Sequence, residues 1–434
     1  MQSIRGMHDI LPDEISYWQH IYNMALKILN TANYKEIRTP IVESTSLFLR
    51  SIGQDTDIVN KEMYTFLDQG KRHLTLRPEG TASIARAIIQ HKLCEPTTIQ
   101  RVWYLGPMFR YERPQQGRQR QFHQLGLECY GSINPIVDAE IIYLAQTILH
   151  ALECTDFTIE INSIGTLENR EEYKIRLRHY LEKYKNDLDN ESQSKLYTNP
   201  LRILDSKEPK IHEILYYAPN LADCLDPKSM IHFQSLQEYL KSLNIKFKIN
   251  RQLVRGLDYY NDTVFEINTN LLGTQGTICG GGRYDSLTEQ LGGKRIPAVG
   301  WGIGIERLLL LIKDKIELKN NKLCIYIATQ NSCYLQYSLQ IIPIIQQYGL
   351  KYELDLSGSV LKKQLQKALK KQAMLCLIIG EEEVKNSSIT LKWLTKYDQY
   401  TYTISDFINL VPNIYAEYLN FNPVKPHHIN VGSY

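Results

Sequence analysis

No run of about 18 consecutive apolar residues occurs in the chain, so no membrane-spanning helix is expected. The first residues, Met1 to Leu11, carry Arg5, His8 and Asp9 and lack the apolar centre of a signal peptide. The cytoplasm is therefore the expected compartment. The eight cysteines, Cys94, Cys129, Cys154, Cys224, Cys279, Cys324, Cys333 and Cys376, form no CxxC pair, and there is no HExxH. Spacing thus gives no support to zinc, and none is expected. Single cysteines, often beside aliphatic residues, read as buried thiols in a reducing compartment. No Rossmann G-x-G-x-x-G follows a strand, and Gly280 to Tyr284 (GGGRY) lacks the Lys-Ser/Thr of a phosphate-binding loop. An excess of one charge is missing too: the formal net charge is +3, weak support for a nucleic-acid partner. No internal repeat is evident.

The composition is that of a globular protein, with 43% hydrophobic and 22% charged residues. That much apolar surface excludes disorder throughout. At 434 residues the chain exceeds one ordinary core, so two or three domains are expected.

Ser16 to Thr31 places Trp18, Ile21, Tyr22, Ala25, Ile28 and Leu29 at helical spacing. Ile37 to Glu43 reads as a short extended segment, which Pro40 keeps out of a central strand position. Gly80 to His91 is a helix candidate. Between Ile99 and Tyr130, two strand-like runs flank a polar, basic loop, Arg113 to Arg120, as in an antiparallel pair. From about 168 to 243 the pattern turns charged and helical, an expected helical insertion. Strand-like segments return at Val264 to Asn268 and Gly276 to Cys279, before the glycine cluster Gly280 to Gly282. Gly300 to Ile312 reads as a strand running into a buried helix, and Lys313 to Lys322 as a linker. Beyond it, apolar strands and helices alternate as βαβαβ, a small α/β domain of about 100 residues. The end, 420–434, is expected to be a flexible tail; His427-His428 there suits a frayed terminus better than a metal site.

Three segments carry unusual chemistry. In Met108 to Glu128, Arg110 and Glu112 alternate with Phe109 and Tyr111, which puts both charges on one face of a strand. In isolation such a pair is a surface ion pair. Phe122, Gln124 and Glu128 return with matching parity, and Gly126 leaves space on that face. This polar platform asks for a ligand. In Gln252 to Tyr260, Arg255 beside Gly256 brings a planar cation close to a ligand, phosphate or carboxylate; alone it is a strand-end arginine. In Gly300 to Arg307, three glycines alternate with apolar residues and allow close approach. Arg307 follows, with Glu306 as a candidate partner.

Together these segments resemble the class II aminoacyl-tRNA synthetases. FRYE, the basic loop and QFHQLGLE look like motif 2 of that class, GIGIER like motif 3, and IRTPIVE like motif 1. LVRGLDYY (Leu253 to Tyr260) and GGRYD (Gly281 to Asp285) resemble the two signature segments of the histidyl-tRNA synthetase family. RGMHDILP and TLRPEGT also fit it. The resemblance runs from Ile4 to about Phe407.

What the resemblance implies is a histidine–tRNA ligase. It activates L-histidine with ATP to the adenylate, releasing pyrophosphate, and passes histidine to the 3'-terminal adenosine of tRNA(His). The implied fold is α+β: a class II catalytic domain, an antiparallel sheet flanked by helices, over 1–320 with the insertion at about 168–243. A small α/β anticodon-binding domain over 322–419 follows. For ATP, the implied residues are Arg110 on the α-phosphate, Glu112 on the adenine amino group, Phe122 and Arg307 stacking on adenine, and Arg118 with Arg307 near the outer phosphates. Arg255 and Arg110 are the implied catalytic residues, Arg255 holding the histidine carboxylate and the α-phosphate. Glu79, Thr81 and Gln124 grip the α-amino group, Glu128 and Tyr260 read the imidazole, and Tyr259 and Tyr284 complete the pocket. Gln115 contacts the tRNA acceptor end. Mg2+ and a homodimer are implied as well.

In the carboxy-terminal domain Ser357 to Val360 replaces a more glycine-rich stretch, and the basic helix around Lys362 to Lys371 reads equally as a solvated face or a phosphate contact. A catalytically silent regulatory paralogue would tend to lose substrate residues or the last domain. Here Arg110, Glu128, Arg255 and Arg307 are all present. A plain nucleic-acid-binding protein would account for the basic loop but not for Gln124, Glu128 and Tyr260.

Overall fold

A computed structural model of the chain describes residues 1–421 except 54–55, 96–97, 205, 207, 317–322, 395 and 397, with 274–275 described by their backbone alone. The expected tail after residue 421 and the part of the expected linker after residue 316 lie outside the described residues. The chain divides into two compact units, Met1–Ile316 and Glu317–Tyr434.

The first unit contains strands β1 (Lys35–Glu36), β2 (Val42–Ser44), β3 (Tyr64–Leu67), β4 (His73–Leu76), β5 (Gln100–Phe109), β6 (Gln121–Tyr130), β7 (Thr158–Ser163), β8 (Phe247–Ile249), β9 (Asn261–Asn268), β10 (Thr277–Arg283) and β11 (Ala298–Gly304). Eight of them form one sheet in the order β1-β5-β6-β11-β10-β9-β7-β8, and β2-β4-β3 form a small second sheet. The large sheet is antiparallel from β5 across to β7, with a parallel partner at each rim, β1 on β5 and β8 on β7. The β5–β6 hairpin has the expected antiparallel pairing, from Gln100 opposite Tyr130 to Phe109 opposite Gln121. Pro40 falls just outside β2, which is an edge strand.

The helices of this unit are α1 (Pro12–Thr31), α2 (Thr45–Ser51), α3 (Thr81–Gln90), α4 (Pro135–Ala151), α5 (Leu167–Glu182), α6 (Asn190–Thr198), α7 (Pro209–Tyr216), α8 (Pro227–Ser242), α9 (Leu287–Gln290) and α10 (Ile305–Ile312). Helix α1 starts at Pro12, earlier than periodicity suggests, because proline tolerates the first helical position, where an amide would have no partner anyway. Helix α4 opens on Asn134, whose side chain accepts from the Ile136 amide at 3.0 Å. Its buried Val137, Ile141, Leu144 and Ile148 follow helical spacing. Helices α5 to α8 lie in the chain between β7 and β8. Helix α8 is started by Asp226, which accepts from the Lys228 and Ser229 amides at 2.8 and 3.0 Å, and it packs on α4.

The second unit holds β12 (Ile325–Thr329), β13 (Tyr352–Leu354), β14 (Leu375–Ile379), β15 (Ser388–Trp393) and β16 (Gln399–Thr403), with α11 (Leu335–Gln347), α12 (Leu361–Lys370), α13 (Glu381–Lys385) and α14 (Ile404–Asn420). Its sheet runs β13-β12-β14-β15-β16. The βαβαβ alternation is the parallel part, β12 to β14. Beyond it, β15 and β16 add antiparallel strands and α14 buries Phe407, Val411 and Ile414. The sequence QYTYT of β16 is largely exposed and has no apolar run to announce it.

The glycine cluster Gly280 to Gly282 lies in the interior of β10. Gly126 likewise sits inside β6 opposite Tyr104, and its space is taken by the Tyr104 ring, which also covers Gly80. A Cβ at Gly126 or Gly80 would overlap that ring. Gly126→Ala is therefore expected to destabilise the fold by about 1–3 kcal/mol through overpacking, read as a lower urea midpoint. A variant as stable as the parent would contradict this packing.

Candidate active site

Strand β6 presents Phe122, Gln124, Gly126 and Glu128 on one face, because alternate residues share a face. On its neighbour β11, Gly304, Gly302 and Gly300 stand opposite Gln124, Gly126 and Glu128. Their missing side chains are required at Gly300, where a Cβ would overlap the Glu128 carboxylate and crowd the Tyr284 hydroxyl. The result is a shallow floor with a carboxylate at its deep end.

Glu128 has no solvent exposure. The Thr81 hydroxyl donates to its Oε1 at 2.7 Å, and the Tyr284 hydroxyl donates to Oε2. Burial pushes this carboxyl up to about 8; the Tyr284 and Thr81 hydroxyls pull against that, while the nearby Glu79 charge adds to it. Glu79 caps α3, accepting from the Thr81 and Ala82 amides at 2.8 and 2.7 Å. Burial raises Glu79 as well, opposed by those amides and by Arg110. Tyr259, Tyr260 and Tyr284 pack together, with ring centroids 4.7 Å apart for 259–260 and 5.5 Å apart for 259–284. Burial raises all three phenols, so each remains a hydrogen-bond donor at neutral pH.

In front of this cluster Arg110, Glu112, Arg118, Phe122, Gln124, Arg255 and Arg307 line one cavity of about 190 Å³. Each arginine is fixed from behind. Arg110 lies over the Phe122 ring at 5.2 Å and donates through Nε to the Pro78 carbonyl at 2.8 Å. Arg118 pairs with Glu112 at 3.1 Å. Arg307 donates to the Gly117 and Thr277 carbonyls at 3.2 and 2.7 Å. Burial, and then the neighbouring Arg118 charge, hold its pKa below the ordinary value. Arg255 reaches Glu266 on β9 by passing over Gly280, where a Cβ would overlap its guanidinium. Burial alone would lower Arg255, but the Glu266 charge together with Tyr260 and Tyr259 outweighs it and the pKa is raised.

The structure thus brings the expected residues into two adjoining groups, the cavity lining and the deep cluster of Glu79, Thr81, Glu128, Tyr259, Tyr260 and Tyr284. Gln115 stands apart in the loop, its amide donating to the Arg118 carbonyl at 3.1 Å. Three local readings change. Arg110 and Glu112 do not alternate on a strand, since β5 ends at Phe109. They meet in the following loop, 3.8 Å apart. Arg255 is not at a strand end but in the connection between β8 and β9. Glu306 pairs with His123 rather than with Arg307: it accepts from the His123 amide at 2.9 Å and meets His123 Nδ1 at 2.9 Å, joining β6 to α10.

Two further residues belong to the site without having been singled out: Tyr104 and Glu266. Glu266 had a signal, a lone carboxylate inside the apolar run Val264 to Ile267. Tyr104 had none until the register placed it against Gly126. Among the described residues, no group of three His, Cys, Asp or Glu side chains could hold a metal ion, and no helix is long and apolar enough to cross a membrane.

Comparison with known proteins agrees with this geometry. The sequence model of a family described as histidyl-tRNA synthetase matches residues 6–308, and one described as anticodon binding domain matches residues 323–414. The chain is 57% identical over 408 residues to a protein of Gracilaria tenuistipitata var. liui named histidine–tRNA ligase, chloroplastic, spanning 94% of this chain and 97% of that one. It is 49% identical over 409 residues to the histidine–tRNA ligase of a Cyanothece species, spanning 94% and 95%. The crystal structure of apo histidyl-tRNA synthetase from S. aureus superimposes with a TM-score of 0.78 at 34% identity, covering 94% of this chain and 99% of that one. The chain belongs to the histidyl-tRNA synthetase family: it ligates histidine to tRNA, on a class II synthetase fold followed by an anticodon-binding α/β unit.

Proposed function

We propose that the cavity holds ATP and the deep cluster holds L-histidine, with Arg255 between them. Arg110 then takes the α-phosphate, Glu112 the adenine amino group, and Phe122 and Arg307 the two faces of adenine, with Arg118 and Arg307 near the outer phosphates. Glu79, Thr81 and Gln124 take the α-amino group of histidine. Glu128 accepts from the imidazole and Tyr260 donates to it, with Tyr259 and Tyr284 closing the pocket. Neutral imidazole has one donor and one acceptor, which this pair complements. The observation that carries this reading is a wholly buried carboxylate, Glu128, on the same face of β6 as Phe122 and Gln124, which line a cavity with four arginines.

Adenylation brings two anions together, the histidine carboxylate and the α-phosphate. Arg110 and Arg255 stay protonated throughout, so they stabilise the developing charge without exchanging protons. Their tethers, the Pro78 carbonyl and Glu266, hold them before substrate arrives, which lowers the reorganisation cost. The ATP-dependent family reaction also uses a divalent ion, which we assign as Mg2+ carried chiefly by phosphate oxygens. Glu266 fits as the protein carboxylate available to it, because among the described residues its Oε2 receives the longer bonds from Thr277 and Asn268, at 3.2 and 3.4 Å. Bound there, the ion would screen the outer phosphates. No zinc is assigned. In the second step histidine passes to the 3'-terminal ribose of tRNA(His), with Gln115 at the acceptor end.

We assign the catalytic domain to 1–320, with an insertion over about 168–243, and the anticodon-binding domain to 322–419. A homodimer is supported by exposed apolar side chains on and beside the small sheet, Ile41, Val42, Phe66 and Leu67. The compartment is assigned as a thiol-reducing one, either a cytoplasm or its plastid counterpart, the stroma. A relative named chloroplastic supports the stroma, and all eight cysteines are free, as in either reducing compartment.

Pyrophosphate exchange into ATP should require histidine and no other amino acid, and Arg255→Ala should lower it by roughly 100-fold or more. Equal exchange without histidine, or a fully active variant, would overturn the assignment. Stability gives an independent reading of Glu128. Folded, it holds its proton up to about 8, against an ordinary value of 4.5, so the native state binds more protons between those limits. Its contribution to stability therefore falls as pH rises through that window, by at most about 1.4 kcal/mol per pH unit. Glu128→Gln is expected to gain on the parent between about pH 5 and pH 8, by more than roughly 1 kcal/mol in urea melts. A difference that does not change with pH would contradict the raised value.

A further inference from the structure

Behind the deep cluster, on the opposite face of the sheet, lies a second set of charges that the reaction does not touch. Arg283 ends β10 with a side chain only 1% exposed, and Asp138 of α4 faces it with none. The guanidinium donates to both Asp138 oxygens, through Nη2 to Oδ1 and through Nε to Oδ2 at 3.3 Å. Its Nη1 donates to the Ser132 carbonyl at 2.8 Å and to Asp285 Oδ1 at 3.1 Å. Asp138 Oδ2 also accepts from the Thr263 hydroxyl at 2.7 Å and meets His232 Nε2 of α8 at 2.7 Å. Burial would raise the Asp138 carboxyl, but Arg283 and His232 outweigh that and hold it below its usual range.

Chain alternation connects this network to the pocket. Arg283 and Asp285 turn to the back of the sheet, so Tyr284 between them turns to the front, where its hydroxyl meets Glu128. Asp285 is pinned as well, accepting from the Ala298 amide at 3.0 Å while its own amide donates to Asn261 Oδ1 at 2.7 Å. The Tyr284 amide donates to the Ala298 carbonyl at 2.8 Å. Three consecutive residues are therefore fixed from behind. His232, with a side chain 14% exposed, is the end of the network nearest solvent.

We infer that His232, Asp138 and Arg283 are positioning residues for histidine reading: they hold residues 283–285 so that the Tyr284 hydroxyl stays on Glu128, and thereby link α8 to the amino-acid pocket. The inference rests on the reading that Glu128 and Tyr284 face the imidazole. It separates the substrates, because the network stands behind Tyr284 and shares no residue with the ATP cavity.

The test is histidine-dependent pyrophosphate exchange on the full chain, with KM for histidine and KM for ATP measured separately. His232→Leu removes the Asp138 partner and is expected to raise KM for histidine about fivefold while KM for ATP changes less than about twofold. His232→Gln, which keeps an N–H for Asp138, should return KM for histidine to within about twofold of the parent. Should the leucine variant fail to fold, Thr263→Val removes another Asp138 donor at nearly constant shape and should give the same selective rise. Parallel increases in both KM values, no rescue by glutamine, or unchanged KM for histidine in the folded variants would overturn the inference. Glu128→Gln in the same assay separates the two levels. If it leaves KM for histidine unchanged, the pocket reading itself has failed. If it raises KM while the His232 and Thr263 variants do not, only the positioning role has failed.

Discussion

A carboxylate with no access to water is the constraint on which the rest of the site depends. An ionised Glu128 in that position is costly unless donors meet it, and the sequence around it supplies them. Thr81 and Tyr284 provide hydroxyls, and Gly300 provides the space for the carboxylate to lie flat against β11. Gly80 and Gly126 leave room for Tyr104, which packs beside the same group. The glycines are thus spaces reserved for named neighbours rather than loosened backbone. A pocket built this way selects by what it would leave unpaired, since an apolar isostere strands its polar groups.

The front of the site follows a different rule. Its charges are exposed enough to meet a nucleotide, yet each arginine is tied by a carbonyl or a carboxylate. Arg110 rests on Pro78, Arg307 on Gly117 and Thr277, Arg255 on Glu266, and Arg118 on Glu112. Long flexible cations become fixed charges, which is what stabilising a developing negative charge requires. The pair Glu306–His123 adds a brace by joining the strand that carries Phe122 to the helix that carries Arg307.

Much of this was legible in the sequence where the signal is local. The parity of Phe122, Gln124 and Glu128, the strand-to-helix passage at Gly304, and the alternating strands and helices after residue 323 are all set within a few residues. What escaped was fixed by partners far apart in the chain. Glu306 turns to His123 and Arg283 to Asp138, contacts that no spacing announces. The strand-like run ending at Cys279 continues through Gly280 to Gly282, where Arg255, Trp301 and Tyr260 fill the space that side chains would otherwise take. The exposed strand β16 lacks the apolar alternation that betrays a strand.

The central claim is that Glu128 reads the imidazole. The most direct measurement compares kcat/KM for histidine with that for β-(2-thienyl)alanine, a ring of similar shape without N–H groups, in the parent and in Glu128→Gln. The account predicts a parental preference for histidine of roughly 10⁴ or more, falling by at least about 100-fold in the variant. An active variant that keeps the full preference would contradict it.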